Sequence, residues 1–159
     1  MIAALTTSAD DTRELGAVLA PLVVAGDVIL LSGGLGAGKT TFAQGFGRGL
    51  GVQDDIVSPT FTLMRSYEGR LSLIHCDVYR LDHLQEVIDL GLPEMLDADA
   101  VALVEWGDVA APGLPADHLE ARIELAGPDD ERLFQFQPVG SSWLGRTNEL
   151  RAVTEKWLS

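Results

Sequence analysis

With 159 residues, 47% of them hydrophobic, the chain is long enough for one domain that buries a sizeable core and too short for several. A formal net charge of −13, with only Lys39 and Lys156 as lysines, argues against a surface that grips nucleic acid unaided. No apolar run nears the ~20 residues that span a bilayer, the acidic start does not read as a signal peptide, and the single Cys76 suits a reducing compartment, so a cytoplasmic protein without membrane contact is expected.

In chain order, Ser8 precedes acidic Asp10-Asp11 and then Leu15, Val18, Leu19 and Leu22 at helical spacing. This predicts a helix over about 9–23, capped by Ser8 with Asp11 at the third position and ended early by Pro21. Gly26-Asp27 turns into Val28–Ser32, an apolar strand without alternation, as expected when both faces of a sheet are covered. A glycine-rich turn follows, and Phe42, Phe46 and Leu50 form one stripe of a helix from Lys39 or Thr40 to Gly49, with Gly51 as its stop. Gly45, Gly47 and Gly49 each weaken such a helix by roughly 1 kcal/mol relative to Ala when they lie in its interior.

Residues 52–57 are a polar connector to Ser58-Pro59-Thr60, after which 61–67 and 70–76 read as a hairpin around Glu68-Gly69 and deliver Asp77 at the end. A capping box at 82–85 and Pro93 introduce short helical pieces. Ala100–Val104 is an apolar strand ending in Glu105-Trp106. Residues 119–125 alternate as a half-exposed strand, Leu133, Phe134 and Phe136 belong to its partner, and a last helix from about Asn148 presents Leu150, Val153 and Trp157.

The chain is organised around VILLSGGLGAGKTT at 28–41, where a buried-type strand, a GxxxxGK[ST] loop and a helix start follow in the order of a Walker A phosphate loop. Gly33, Gly34, Leu35, Gly36, Ala37 and Gly38 can turn successive amides toward an anion, and the helix start at Lys39, Thr40 and Thr41 adds partial positive charge. Lys39 is expected at the β- and γ-phosphates and the Thr40 hydroxyl on Mg2+. Glu105, at a strand end, stands where a Walker B carboxylate would, and Asp77 is a second carboxylate at another strand end. Spacing leaves open which of them holds metal and which orients water. Thr60 reads either as a switch threonine closing on the γ-phosphate or as part of a Ser-Pro turn. His75 reads as a core or loop histidine, and burial is the plainer role of Tyr79 and Trp106. Arg132 reads either as a phosphate contact or as an ordinary strand arginine. No Asn-Lys-x-Asp guanine-reading element and no arginine-bearing lid occur, which favours adenine and hydrolysis.

GGLGAGKTT at 33–41, SPTFTL at 58–63, HCDVYRL at 75–81 and VEW at 104–106 together resemble the TsaE (YjeE) family, the ATPase component of bacterial tRNA threonylcarbamoyladenosine synthesis, over roughly residues 8–140. The resemblance implies a single αβα P-loop domain, with a mixed, largely parallel sheet and a β-hairpin, that hydrolyses ATP with Mg2+. It implies Lys39 and Thr40 on phosphate and magnesium, Glu105 as the Mg2+-associated carboxylate, and Asp77 as a residue needed for turnover. Thr60 is then the switch threonine and Thr12 lies near adenine. The implied partners are homologues of TsaB and TsaD, whose complex modifies the adenosine beside the anticodon and would carry the tRNA-facing surface. The family often has Asp at Gly34, Lys at Val57 and an aromatic at Cys76. A small-metabolite kinase and a non-hydrolytic ATP-sensing module are the alternative readings.

Overall fold

The computed structural model describes residues 1–34, 36–58, 64–78, 85, 86, 89, 91–106 and 117–158, with the backbone alone for Trp106. The expectations placed on Tyr79, Arg80, the hairpin residues 61–63 and the capping-box residues 82–84 lie outside the described residues.

The chain enters through β1 (Ile2–Thr6), a strand that the sequence reading does not anticipate, and continues into α1 (Ala9–Leu19). Ser8 caps α1 by accepting the Asp11 N–H at 3.0 Å, while the Asp11 carboxylate accepts the Thr7 N–H at 3.0 Å. Pro21 lies in a 3-10 turn, Ala20–Leu22, that closes the helix as expected. After β2 (Val28–Ser32) and α2 (Lys39–Gly49), β3 (Met64–Tyr67) and β4 (Ser72–Val78) form the predicted hairpin. The short helix α3 (Leu92–Asp97) leads to β5 (Ala100–Trp106), and β6 (His118–Leu125) pairs with β7 (Arg132–Val139). A single turn, α4 (Ser141–Leu144), precedes α5 (Thr147–Thr154).

Among the described residues the strands form one sheet in the order β1-β7-β6-β2-β5-β4-β3. The central four, β6, β2, β5 and β4, are parallel, and the strands outside them are antiparallel. This α/β architecture is the mixed, largely parallel sheet expected. Its two faces have separate apolar layers. Ile29 and Leu31 of β2 pack with Leu15, Phe42 and Phe46 beneath α1 and α2, whereas Val28 and Leu30 pack with Leu92 and Leu96 of α3. A strand buried on both sides has no polar face, which is why β2 reads as a continuous apolar run. Because β2 lies between β5 and β6, the crevice at its carboxyl end is where α/β sheets place ligands.

The glycines of α2 are explained by packing. A Cβ on Gly45 would land on the backbone of Arg13 in α1, one on Gly16 would meet the Phe42 carbonyl, and one on Gly49 would meet Ala17 and Ala20. The two helices therefore cross with their backbones in near contact. At the other end of the sheet, Arg146 donates to both oxygens of Asp27 at 2.6 and 3.0 Å, which ties the C-terminal helices to the start of β2. No helix among the described residues is long and apolar enough to cross a membrane.

Candidate nucleotide site

The loop after β2 is shaped by its glycines. Gly33 has φ 154° and lies so close to β6 that a Cβ would come within 2.7 Å of the Ile123 carbonyl oxygen. Gly38, at φ 109°, is the N-cap of α2 and has no side chain with which to cap the first amides. The Ala37 N–H donates to Gly34 at 3.1 Å and the Phe42 N–H to Gly38 at 3.0 Å, so a tight turn runs straight into the helix. A helix start without a side-chain cap presents N–H groups and partial positive charge to an anion. Lys39 folds back over the loop and donates to the Gly33 carbonyl at 3.1 Å.

Arg132, the first residue of β7, holds this loop from outside. Its Nε donates to the Ala37 carbonyl at 2.9 Å and its Nη2 to Gly36 at 3.5 Å, while Nη1 donates to Asp129 and Glu131, each at 3.0 Å. The guanidinium thus ties down carbonyls on the outside of the turn and leaves positive charge at the rim.

Parallel pairing of β4 with β5 sets Asp77 opposite Glu105. Residues directly opposite share a face, and here the face is the one that carries α2. Both carboxylates are buried. The Thr40 hydroxyl donates to Glu105 Oε1 at 3.4 Å, and the Ser58 hydroxyl donates to Asp77 Oδ2 at 3.4 Å. His75 Nε2 lies 2.9 Å from Glu105 Oε2. Burial, reinforced by the neighbouring Glu105 charge, pushes the Asp77 carboxyl above the usual carboxylate range, against the opposing pull of Lys39, Ser58 and His75. Cys76, facing the other apolar layer, has its thiol pushed up to about 12 by burial and is inert.

These groups surround a cleft of about 370 Å3, lined by Gly36, Ala37, Gly38, Lys39, Thr40 and Thr41 on the loop side, by Ser58, Asp77 and Glu105 at its floor, and by Thr12 and Arg132 at its margins. The size is that of a small-molecule site. Thr12 is buried, and its hydroxyl lies 2.7 Å from that of Thr6, the last residue of β1. Leu35 and Thr60 lie outside the described residues, as does the Trp106 side chain.

Sequence reasoning missed Ser58 and Asp130, which also line the cleft, while His75, read as a core or loop histidine, is fully buried. The Ser-Pro-Thr stretch drew attention to its threonine, and nothing in the local pattern reveals that Ser58 meets a carboxylate two strands away. Among the described residues no three His, Cys, Asp or Glu side chains are grouped to hold a metal by themselves. A hydroxyl beside one or two carboxylates fits Mg2+, which takes hard oxygen donors and fills its remaining positions with water and phosphate oxygens.

The comparisons with known proteins agree on one family. The model of the family "Threonylcarbamoyl adenosine biosynthesis protein TsaE" matches residues 6–134. The tRNA threonylcarbamoyladenosine biosynthesis protein TsaE of Treponema pallidum is 46% identical over 111 residues, 70% of this chain and 82% of that protein. Its counterpart of the same name in Bacillus subtilis is 42% identical over 139 residues, 87% of this chain and 86% of that one. The crystal structure of Bacillus subtilis YdiB superimposes with a TM-score of 0.79 at 36% identity, covering 96% of this chain and 97% of that one. On sequence and fold together, the chain belongs to the TsaE family.

Proposed function

We propose that this protein is a Mg2+-dependent ATPase that supports tRNA threonylcarbamoyladenosine formation by cycling a complex of TsaB and TsaD homologues. The observation that carries the reading is the convergence of the glycine loop, Lys39, Thr40 and two buried carboxylates on one cleft. The names of the relatives point to the same pathway.

In this reading the loop amides and Lys39 bind the β- and γ-phosphates of ATP. Thr40 and Glu105 hold Mg2+, which when bound neutralises charge on the phosphate oxygens. Glu105 has one oxygen on His75 and the other on Thr40, whereas among the described residues Asp77 is met only at Oδ2, by Ser58, so Asp77 is the carboxylate assigned to orient water for in-line attack on the γ-phosphorus. The bond to the leaving ADP breaks as water attacks, and Lys39 with the amides stabilises the developing charge. Thr12 stands on the nucleoside side and Arg132 keeps the loop in shape. The whole chain acts as one P-loop domain in the cytoplasm. Its charge of −13 leaves contact with tRNA to its partners.

Phosphate release from ATP, measured with and without the TsaB and TsaD homologues, tests the proposal. Turnover that rises on adding them is expected. Full-rate turnover by the isolated chain would remove the coupling, and transfer of labelled γ-phosphate to an organic product would replace hydrolysis by a kinase reaction. Nucleotide binding with no phosphate release under any condition would leave only a sensing module.

A further inference from the structure

His75 lies on β4 two residues before Asp77 and is fully buried. Its Nε2 is 2.9 Å from Glu105 Oε2, while its Nδ1 is buried and has no hydrogen-bond partner among the described residues. A neutral imidazole carries one N–H, and a proton on Nδ1 would be a buried donor with nothing to accept it. The ring therefore carries its proton on Nε2 and donates it to Glu105. Leucine or methionine would fill the same space beneath α2 without an orphaned nitrogen, so core filling alone does not account for a histidine here.

What the contact does is visible at Glu105. One carboxylate oxygen is fixed by His75, and the other faces the Thr40 hydroxyl at 3.4 Å. A glutamate with neither oxygen held turns freely about its last torsion, which is broad. Held at Oε2, it keeps Oε1 on the side of Thr40 and the cleft. The geometry points to His75 as the positioning residue that aims Glu105 Oε1 at the Mg2+ site; this rests on the proposed role of Glu105.

Groups that orient a metal-associated ligand typically change metal affinity or activity about 10–100-fold when removed. In His75→Leu, the Mg2+ concentration for half-maximal phosphate release from ATP should rise by about that factor, while ADP affinity measured in EDTA stays within about twofold of wild type. His75→Gln, whose amide N–H can donate from a similar place, should recover most of the loss. An unchanged Mg2+ requirement in the Leu variant, an equal loss of ADP affinity in EDTA, or a Gln variant no better than Leu would each overturn the assignment. The wild-type chain supplies a readout that needs no variant. Nitrogen-15 NMR of the ring should show Nε2 protonated and Nδ1 bare, with a shift when Mg2+ is added to the ADP complex, and the opposite tautomer would refute the proposal. Wild-type protein lacking any Mg2+ dependence would overturn the ATPase reading itself, whereas a normal wild type beside an unaffected Leu variant overturns the role of His75 alone.

Discussion

Replacing Gly45 by alanine should destabilise the protein, against the usual sign for a glycine inside a helix. Propensity favours alanine there by about 1 kcal/mol. The added methyl, however, would fall on the Cα and carbonyl of Arg13, backbone atoms of α1 that cannot rotate aside. Overpacking of this kind costs typically 1–3 kcal/mol and more when backbone must move, so the net loss is roughly 1–2 kcal/mol. For a chain of this size that lowers Tm by about 2–8 °C. Gly47→Ala is the internal comparison, because the obstacle there is Cδ1 at the tip of the Ile56 side chain. Ile56 can turn away, so the loss should be smaller. Separating α1 from α2 would also move Thr12 away from the loop that begins α2, and ADP affinity should fall alongside Tm. Thermal unfolding of the nucleotide-free proteins, followed by circular dichroism, reads the difference. A Gly45→Ala protein that melts at or above wild type, or a Gly47→Ala protein that loses more, would refute the close helix crossing as the reason for these glycines.

Asp77 has its folded-state pKa raised above the ordinary 3.8, so the stability it contributes is present below that value and is lost as pH rises through the raised one. Ionising the carboxylate against this raised pKa is a cost, so Asp77→Asn should raise the nucleotide-free Tm at neutral pH while abolishing phosphate release. A lowered Tm or retained turnover contradicts this. By the same shift, turnover of the wild type should fall on acidification at a higher pH than an ordinary carboxylate would give, and a pH–rate profile limited only near the usual carboxylate range would count against Asp77. Asp27→Ala removes the partner of a half-shielded arginine at the end of the sheet away from the cleft, and should cost about 3 kcal/mol, or roughly 6–12 °C in Tm, with ADP affinity below the melt unchanged. Arg132→Met should weaken ADP binding about 10-fold by releasing the carbonyls of Gly36 and Ala37, and an unaltered affinity would show that the loop holds its shape without it.

The stretch from Val28 to Gly49 is legible in the sequence because every signal in it is local: an apolar run, glycines at fixed offsets and a helical stripe. The strands carrying Asp77 and Glu105 are legible for the same reason, although both run a residue or two further than expected. What local pattern cannot supply is pairing. The strand β1 is short, only partly alternating, and stabilised by β7 at the far end of the chain, with Ile2 opposite Phe136. Likewise, the register of β4 against β5 sets Asp77 beside Glu105 and brings His75 to the same carboxylate, and neither strand alone contains that information. The glycines of α2 look unfavourable by propensity and become intelligible only against the backbone of α1. The C-terminal segment presents no motif, yet Trp157 donates its indole N–H to Asp11 at 2.7 Å beside the cap of α1.

Calorimetric titration of ADP into wild-type protein and Lys39→Ala, each with Mg2+ and with EDTA, tests the nucleotide site most directly. Saturable binding at one site per chain, tightened by Mg2+ and weakened at least about 10-fold by the lysine substitution, is the expected result. No binding by the wild type, or binding indifferent to both Mg2+ and Lys39, would contradict the account at its centre.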